Sequence, residues 1–86
     1  MTDKEIRCAA LKYGYDANKV GKVAMVVKSR MITNYNLDKK KVSSIFRSLE
    51  KEGLLKTATG GRWVWIGRYE VTEKGIREYE EKCQKN

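Results

Sequence analysis

Residues 38–52 combine an apolar stripe with a dense set of cationic and hydroxyl side chains. Apolar residues recur at every third or fourth position, as on one face of an amphipathic helix, at Val42, Ile45, Phe46 and Leu49. The side chains left on the other faces can donate hydrogen bonds to phosphates or bases; they are Lys39, Lys40, Lys41, Ser43, Ser44, Arg47, Ser48 and Lys51. Such a surface suits a polyanionic partner.

The lysines from Lys39 to Lys41 would occupy the first turn of this helix, where the helix dipole disfavours cations. A residue pattern that opposes helix stability in this way often marks a functional position. A phosphate chain that runs past the helix N-terminus would bind these lysines together with the free backbone N–H groups. The alternative interpretation is an ordinary solvated helix face.

Three side chains further along the helix are suited to base edges in the DNA major groove. Arg47 can form a bidentate contact with guanine, while Ser43 and Ser44 can hydrogen-bond either type of base. We therefore expect residues 38–52 to form a recognition helix, with the early lysines on the phosphates and Lys51 also among the DNA-binding residues.

Signals at both ends set the expected limits of this helix. Asp38 is a preferred N-cap residue, and Leu37 before it can pack on Val42 as a hydrophobic staple. Gly53 follows the last turn and suits the left-handed residue that commonly ends a helix.

A β-hairpin is predicted over residues 54–71. The segments 54–59 and 62–66 flank Gly60-Gly61, a dipeptide that supplies the two positive-φ positions of a type I′ turn. A two-residue turn also fixes the register of the two strands. The expected cross-strand pairs are Leu55 with Ile66, Thr57 with Val64, Lys56 with Trp65 and Ala58 with Trp63.

Gly67 is interpreted as a bulge that resets the alternation of the strand, so that Tyr69 and Val71 return to the core. Arg62 lies beside the hairpin tip and Arg68 lies beyond the expected bulge. We expect both arginines to contact a DNA backbone or minor groove.

Trp63 and Trp65 have three interpretations that the sequence leaves open. They complete the core against the terminal helices, or they anchor a dimer interface, or they stack on unpaired bases.

The first and last helices are expected to pack on the rest of the domain. The first is capped by Thr2 or Asp3 and runs to about Tyr13, with Gly14 as its left-handed end. The last begins after Thr72 and is too charged to be stable alone, so it packs on the first helix or on a second subunit. Its expected contact face includes Ile76, Tyr79, Glu80 and Cys83.

A second helix is expected from Asp16 to Asn36, where Asn36 adopts the left-handed conformation of a turn between helices. Gly21 weakens the start of this helix, so two shorter helices that meet near Ser29 are the alternative.

The net charge of +8 lies in the middle of the chain. Residues 12–68 carry thirteen Lys and Arg against four Asp and Glu, whereas residues 1–11 balance to zero. This distribution favours a polyanion through counterion release. The alternative is the Lys- and Glu-rich solvated surface that proteins of thermophiles show.

Length and composition bound the class of protein. We expect 86 residues to form a single domain, 1–86, that is cytoplasmic, without a membrane span or a signal peptide. The chain has no histidine, phosphate-binding glycine loop or nucleophile elbow, so we expect neither an enzyme, nor a cofactor, nor a metal.

Cys8 and Cys83 are too far apart in sequence for a zinc knuckle. Either they are two free thiols packed as small apolar groups, or they form a disulfide within one chain or across a dimer.

The segments 42–55 and 69–75 resemble winged helix-turn-helix transcription regulators of the MarR and PadR type, in compact single-domain form. The "Leu-Glu-x-x-Gly-Leu" end of the recognition helix and the "Leu-Thr-x-x-Gly" end of the wing carry this resemblance, at Leu49–Leu54 and, with Val71 at the Leu position, at Val71–Gly75. It implies an α+β, mostly α fold with a three-helix core, a hairpin wing and a C-terminal helix. It also implies a DNA-facing surface formed by Lys39, Lys40, Lys41, Ser43, Ser44 and Arg47, with Arg62 at the wing tip.

The leading hypothesis is a sequence-specific regulator that binds double-stranded DNA as a homodimer, at two sites one helical turn or a multiple of it apart. Two alternatives come from other classes, namely a winged helix that binds structured RNA and a winged helix that serves as a protein-interaction module.

Overall fold

The computed structural model describes residues 1–58 and 67–84. Helices account for most of these residues and a small antiparallel sheet for the rest of the regular structure, so the expected α+β, mostly α class is confirmed. The elements in chain order are α1 (Asp3–Lys19), β1 (Met25–Val27), α2 (Lys28–Tyr35), α3 (Lys39–Lys51), β2 (Leu55–Thr57), β3 (Arg68–Val71) and α4 (Glu73–Glu78), which continues as a π-helical turn (Tyr79–Cys83).

The core lies between α1, α3 and one face of the sheet. Every core residue is almost fully buried, and each helix from α1 to α3 contributes at least one apolar side chain. The buried set is Ile6, Ala10, Leu11, Val26, Met31, Val42, Phe46, Leu49, Leu54, Leu55 and Val71. Within the residues described, no helix is both long and apolar enough to cross a membrane.

The first helix is longer than the sequence pattern indicates. Thr2 caps it in a reciprocal arrangement with Glu5, as the capping signal predicts, but α1 continues through Gly14 to Lys19. The expected end at Gly14 is therefore wrong. Gly14 is buried in the helix interior, and a Cβ atom added there would overlap the side chain of Val71. The glycine serves close packing between α1 and β3 rather than a left-handed turn.

Replacing Gly14 with Ala should lower the free energy of unfolding by about 1–3 kcal/mol, because the added methyl group must displace Val71. In an unobstructed helix interior the same change stabilises by about 1 kcal/mol. Urea unfolding of Gly14→Ala tests the sign. Lys12→Ala, an exposed position on the same helix, is the control and should change stability by less than about 0.5 kcal/mol. A more stable Gly14→Ala variant would contradict the packing argument.

The prediction of a second helix is also wrong over the first half of its residues. Asp16 lies inside α1 instead of capping a new helix, and Met25–Val27 form strand β1. After β1 the chain is helical over Lys28–Tyr35, so the alternative boundary near Ser29 is close to the observed start of α2. The expected left-handed residue is confirmed, since Asn36 has φ of 51° and ψ of 55°. Val26, the middle residue of β1, is buried in the core.

The strand pairing after α3 differs from the predicted hairpin register. The sheet has the order β1-β3-β2, with β3 antiparallel to both neighbours. Leu55 pairs with Val71 and Thr57 with Tyr69, so the expected pairs of Leu55 with Ile66 and of Thr57 with Val64 are wrong. The observed register places Leu55 and Val71, each 2% exposed, together on the core face.

Of the other predictions for the hairpin, some are contradicted and some fall on residues that the structure does not describe. Lys56 pairs with Glu70 rather than with Trp65, and the Ala58 amide donates to the Arg68 carbonyl, so the expected pairing of Ala58 with Trp63 is wrong. The turn at Gly60-Gly61, like Arg62 and both tryptophans, lies outside the described residues.

Gly67 is a turn residue next to β3, and the segment before it, which the expected bulge also involves, lies outside the described residues. It has φ of +72°, stands directly before β3 and accepts a hydrogen bond from the Lys28 amide at 2.9 Å. A Cβ atom here would lie 2.9 Å from the Lys28 Cβ, so the site requires both glycine's φ and its small size. The expected result of the bulge still holds, because Val71 is buried and Tyr69 packs on Phe46 with ring centroids 5.1 Å apart.

The last helix folds onto the first helix of its own chain. Thr72 caps α4 as predicted, with its hydroxyl accepting from the Gly75 amide at 3.1 Å. Cys83 at its end forms a disulfide with Cys8 on α1, where the two Cα atoms are 5.7 Å apart. Tyr79 packs on Tyr15 with ring centroids 4.7 Å apart. Of the alternatives left open for the cysteines, the structure therefore has the disulfide within one chain.

Candidate nucleic-acid interface

The start of α3 is set by a tight connection from α2. Asn36 is left-handed, and the Leu37 amide donates to the Ile32 carbonyl at 3.0 Å, which satisfies an end group of α2. Asp38 then caps α3, its carboxylate accepting from the Lys41 amide at 3.0 Å. The predicted N-cap is confirmed, and the two helices are joined without a flexible linker.

The C-terminal end of α3 is held by α4 and the turn before it. Gly53 has φ of +79°, so the predicted helix end is confirmed. The Thr72 hydroxyl donates to the Gly53 carbonyl at 2.6 Å, and the Lys74 ammonium donates to the Glu52 carbonyl at 3.0 Å. These bonds satisfy carbonyls that the helix leaves free and fix where the chain turns from α3 into β2.

Arg7 of α1 ties the same end of α3 to α4. Its guanidinium donates to both carboxylate oxygens of Glu52, at 2.7 and 2.6 Å, and to Glu78 at 3.3 Å. The hydrogen bonds from Arg7 lower the pKa of Glu52, and the bonds to Glu52 and Glu78 raise the pKa of Arg7. A bidentate pair of this kind adds orientation as well as energy.

The pKa of Glu52 should move back toward its ordinary value of 4.5 when Arg7 is replaced by Gln. Because the folded-state pKa lies below the unfolded one, the stabilisation is fully present at pH values above that ordinary value and is lost as the pH falls through the folded pKa. An NMR titration of the Glu52 carboxyl carbon in wild type and Arg7→Gln measures the shift. Lys12→Gln removes a charge from an exposed site on the same helix and should leave the titration unchanged. Identical Glu52 titrations in all three proteins would contradict the assigned cause.

The outer surface of α3 presents cations that lack a neighbouring carboxylate among the described residues. Four of them are exposed, and among residues 1–58 and 67–84 no carboxylate lies within 4.0 Å of their charged nitrogens. The first turn of the helix contains no acidic residue either. These four residues, called the α3 cationic face, are Lys39, Lys40, Arg47 and Lys51.

The remaining predicted residues on α3 differ in their surroundings. Ser44 is exposed beside the α3 cationic face, and Ser43 is half-buried. Lys41 turns to α1, where its ammonium lies 3.0 Å from the Asp3 carboxylate. Its charge is therefore partly balanced within the protein, unlike that of Lys39 and Lys40.

Arg47 lies close enough to Tyr69 of β3 to influence the pKa of its hydroxyl. Burial raises the pKa of the Tyr69 hydroxyl, the carboxylate of Glu50 raises it further, and the cation of Arg47 acts against both. Glu50 also accepts a hydrogen bond from the Thr57 hydroxyl at 2.7 Å, which joins α3 to β2. The helix is thus fastened to the sheet on the side next to Arg47.

Arg68 occupies a different position from the one the bulge implied. It begins β3, the central strand, pairs with Val27 and is half-buried. Its guanidinium lies 3.6 Å from the Met25 sulfur, on the sheet face opposite Tyr69. The other arginine assigned to the hairpin, Arg62, lies outside the described residues.

Two cations near this site are missing from the sequence interpretation. Lys28 and Arg30 lie in the first turn of α2, with Lys28 packed beside Gly67 and Arg30 exposed. The predicted helix from Asp16 to Asn36 would place them in its middle, because its pattern does not include β1. The run of β-branched residues at Val26 and Val27 before Lys28 is the available signal for that strand.

Among residues 1–58 and 67–84, no cluster of three His, Cys, Asp or Glu side chains is placed to hold a metal ion. Comparisons with models of protein families, with curated proteins and with solved structures found no match to this chain.

Proposed function

We propose that this chain is a winged helix-turn-helix transcription regulator that binds double-stranded DNA in a sequence-specific way and acts as a homodimer. In this proposal α3 enters the major groove as the recognition helix. The segment 54–71 is the wing and contacts the adjacent backbone or minor groove.

The order of elements supports the fold assignment. A helix and a short strand precede a pair of helices joined at Asn36, and two antiparallel strands follow α3 directly. The small sheet joins β1 to β2 and β3, the two strands that belong to the wing segment. This arrangement agrees with the resemblance of segments 42–55 and 69–75 to the MarR and PadR type.

The observation that carries the proposal is the unneutralised α3 cationic face. Arg7 of α1, Lys41 of α3 and Lys56 of β2 lie beside carboxylates. Exposed cations without such a partner among the described residues also occur on α1, at Lys4 and Lys12. On α3, exposed cations stand on a helix that is held at both ends by the rest of the domain. A rigid, cationic helix surface is what phosphate neutralisation and major-groove readout require.

Within that surface the residues have different expected roles. Lys39 and Lys40 lie at the N-terminus of α3, where the helix dipole adds to their attraction for phosphate. Ser44 and Arg47 lie further along the exposed side and are assigned to base edges. Lys41 is expected to contribute less than its neighbours because Asp3 already pairs with it.

Selection of bound duplexes from a random pool tests the proposal, followed by Arg47→Ala and Lys40→Ala on the selected site. Arg47→Ala should reduce discrimination at one base pair by about 1–3 kcal/mol, whereas Lys40→Ala should weaken all duplexes alike. Lys12→Ala is the control for loss of one exposed cation outside α3. The reverse pattern would contradict the assigned roles.

Parallel titrations with single-stranded DNA and structured RNA separate the remaining functions. The proposal expects the selected duplex to bind most tightly of the three. Tighter binding of RNA would favour the RNA-binding alternative, and no binding to any nucleic acid would favour a protein-interaction module.

A further inference from the structure

We infer that the disulfide between Cys8 and Cys83 is a redox switch of DNA affinity. When a dithiol reduces it, the C-terminal segment, defined as residues 73–83, leaves α1, and α3 loses support at its C-terminal end. This inference rests on the proposed function, since it adds a control to the same DNA-binding surface.

The disulfide lies where a reductant can reach it. Cys8 is on α1 and Cys83 is at the end of the π-helical turn, and both residues are half-buried rather than enclosed in the core. A protein that acts on DNA in a cell meets the cellular thiol pool, and disulfides that persist in such a pool are commonly reversible and redox-sensing. The position of the bond therefore permits exchange with a dithiol.

The exchange needs a dithiol as its one co-reactant. A thiolate of the dithiol attacks the sulfur of Cys8 or Cys83, the bond between the two cysteines breaks, and a mixed disulfide forms. The second thiol of the reductant then attacks this mixed disulfide and releases the protein. The dithiol supplies two electrons and two protons and becomes a disulfide, while Cys8 and Cys83 become thiols. A small-molecule disulfide runs the reaction in reverse.

The C-terminal segment depends on the covalent bond to stay docked at its end. No residue of the π-helical turn is buried. Partly exposed ion pairs and single aromatic pairs contribute modestly to stability. Contacts of this kind join the end of the segment to α1, and they include Tyr79 on Tyr15, Gln84 with the Tyr15 hydroxyl, and Glu78 with Arg7.

Arg7 connects the state of the disulfide to α3. It directly precedes Cys8, and its guanidinium donates to Glu78 of the C-terminal segment at 3.3 Å and to Glu52, the C-cap of α3, at 2.7 and 2.6 Å. Lys74 of the same segment donates to the Glu52 carbonyl at 3.0 Å. Three parts of the chain thus meet at Glu52. When the segment leaves α1, Arg7 loses Glu78 and the restraint through Lys74 weakens.

The supported end of α3 includes part of the α3 cationic face. Arg47 and Lys51 lie in the last two turns of the helix, and both are exposed. If a smaller fraction of molecules holds these turns in the binding-competent arrangement, the apparent dissociation constant rises by the inverse of that fraction. The oxidised protein is therefore the form that binds DNA tightly.

Backbone amide relaxation measured by NMR tests release of the segment without DNA. On reduction with dithiothreitol, the order parameters of residues 79–83 should fall from about 0.85 to below about 0.6, while those of residues 42–46 stay near 0.85. Cys8→Ser/Cys83→Ser should match the reduced protein with or without dithiothreitol. Unchanged order parameters in residues 79–83 overturn the inference. A reduced chain that unfolds throughout, rather than at its C-terminal segment, overturns it as well.

Titration of the selected duplex measures the effect on binding. Reduction of wild type should raise the dissociation constant about 10-fold, as expected if about one molecule in ten keeps the supported arrangement. Reoxidation with a small-molecule disulfide should restore the tight binding. Cys8→Ser/Cys83→Ser should bind as weakly as the reduced protein with or without dithiothreitol, which controls for effects of the reductant itself.

The same titration on Arg7→Gln tests the connection through Glu52. Oxidised Arg7→Gln should already bind the duplex more weakly than oxidised wild type, and reduction should change its dissociation constant much less. Lys12→Gln removes an exposed cation from the same helix and should keep the full response to reduction. A full wild-type response in Arg7→Gln contradicts the connection.

These measurements separate failure of the switch from failure of the proposed function. If oxidised and reduced wild type bind the duplex equally tightly, the switch is wrong and the function stands. If reduction releases the C-terminal segment but neither form binds a duplex, the function is wrong and so is the effect on DNA, whereas the redox release of the segment stands.

Discussion

Removal of the disulfide by Cys8→Ser/Cys83→Ser should lower the free energy of unfolding by about 4.5 kcal/mol in the chain-entropy description of cross-links. The bond joins positions 75 residues apart and so restrains almost the whole unfolded chain. Small domains have a total stability of about 5–15 kcal/mol, so the loss is a large fraction of what holds this one together.

Without the disulfide, the C-terminal helical segment should be the first part of the fold to lose stability. Residues 73–83 form a short, highly charged helical segment that would not persist alone. Besides the disulfide, its contacts with α1 include the packing of Tyr79 on Tyr15 and the ion pair of Glu78 with Arg7. Hydrogen exchange should therefore show the amides of this segment opening before those of α3.

Urea denaturation measures this effect. Wild type with a dithiol reductant and the double serine variant without it should unfold at the same urea concentration, well below that of oxidised wild type. An oxidised protein whose midpoint is unaffected by reductant would show that the cross-link contributes nothing to the folded chain.

The paired substitution Lys39→Ala/Lys40→Ala should weaken duplex DNA binding while making the free protein more stable. Two lost phosphate contacts lower the slope of log affinity against log salt by about 1.8, which extrapolates to about 30-fold at 0.15 M salt. At the same time the first turn of α3 no longer opposes the helix dipole, which should stabilise the fold by about 0.3–1 kcal/mol per lysine.

The opposite signs separate a binding surface from an ordinary solvated face. Binding measured at several salt concentrations and urea unfolding of the same protein give both quantities. Lys4→Ala/Lys12→Ala removes the same charge from exposed positions on α1 and should leave the salt slope nearly unchanged. Equal slopes for both variants would show that these α3 lysines do not contact phosphate.

The parts of the fold that follow local rules could be predicted from the sequence. Asp38, Gly53 and Thr72 act through side chains or backbone angles that neighbouring residues determine, and each has its predicted role. Asn36 is left-handed for the same reason. Asn36, Asp38 and Gly53 mark the two ends of α3, and Thr72 marks the start of α4. The limits of the candidate recognition helix could therefore be predicted without a structure.

The errors come from contacts between distant segments. Gly14 has the residue type of a helix end, but its role is to admit Val71 from β3. The short β1 strand exists because β3 pairs with it, and its sequence alone has no turn or alternation that separates it from a helix. Leu55 pairs with Val71, and both side chains are buried together in the core, a contact between distant segments that local turn signals do not determine.

The exposure of the side chains in the candidate site could be predicted from the sequence, but the ion pairs around them could not. Helical periodicity places Lys39, Lys40 and Arg47 away from the core, and all three are exposed. It does not show that Asp3 of α1 reaches Lys41 or that Arg7 holds Glu52 at the helix end. Those ion pairs depend on how α1 crosses α3, which only the packed structure defines.

The most direct test of the central claim is a map of backbone amide NMR shifts as duplex DNA is added to the oxidised protein. We expect the largest shifts in residues 39–51, with smaller ones in the first turn of α2 and at the wing, and little change in the first half of α1. Largest shifts on α1 or α4, with residues 39–51 unaffected, would contradict the assignment of α3 as the helix that contacts DNA.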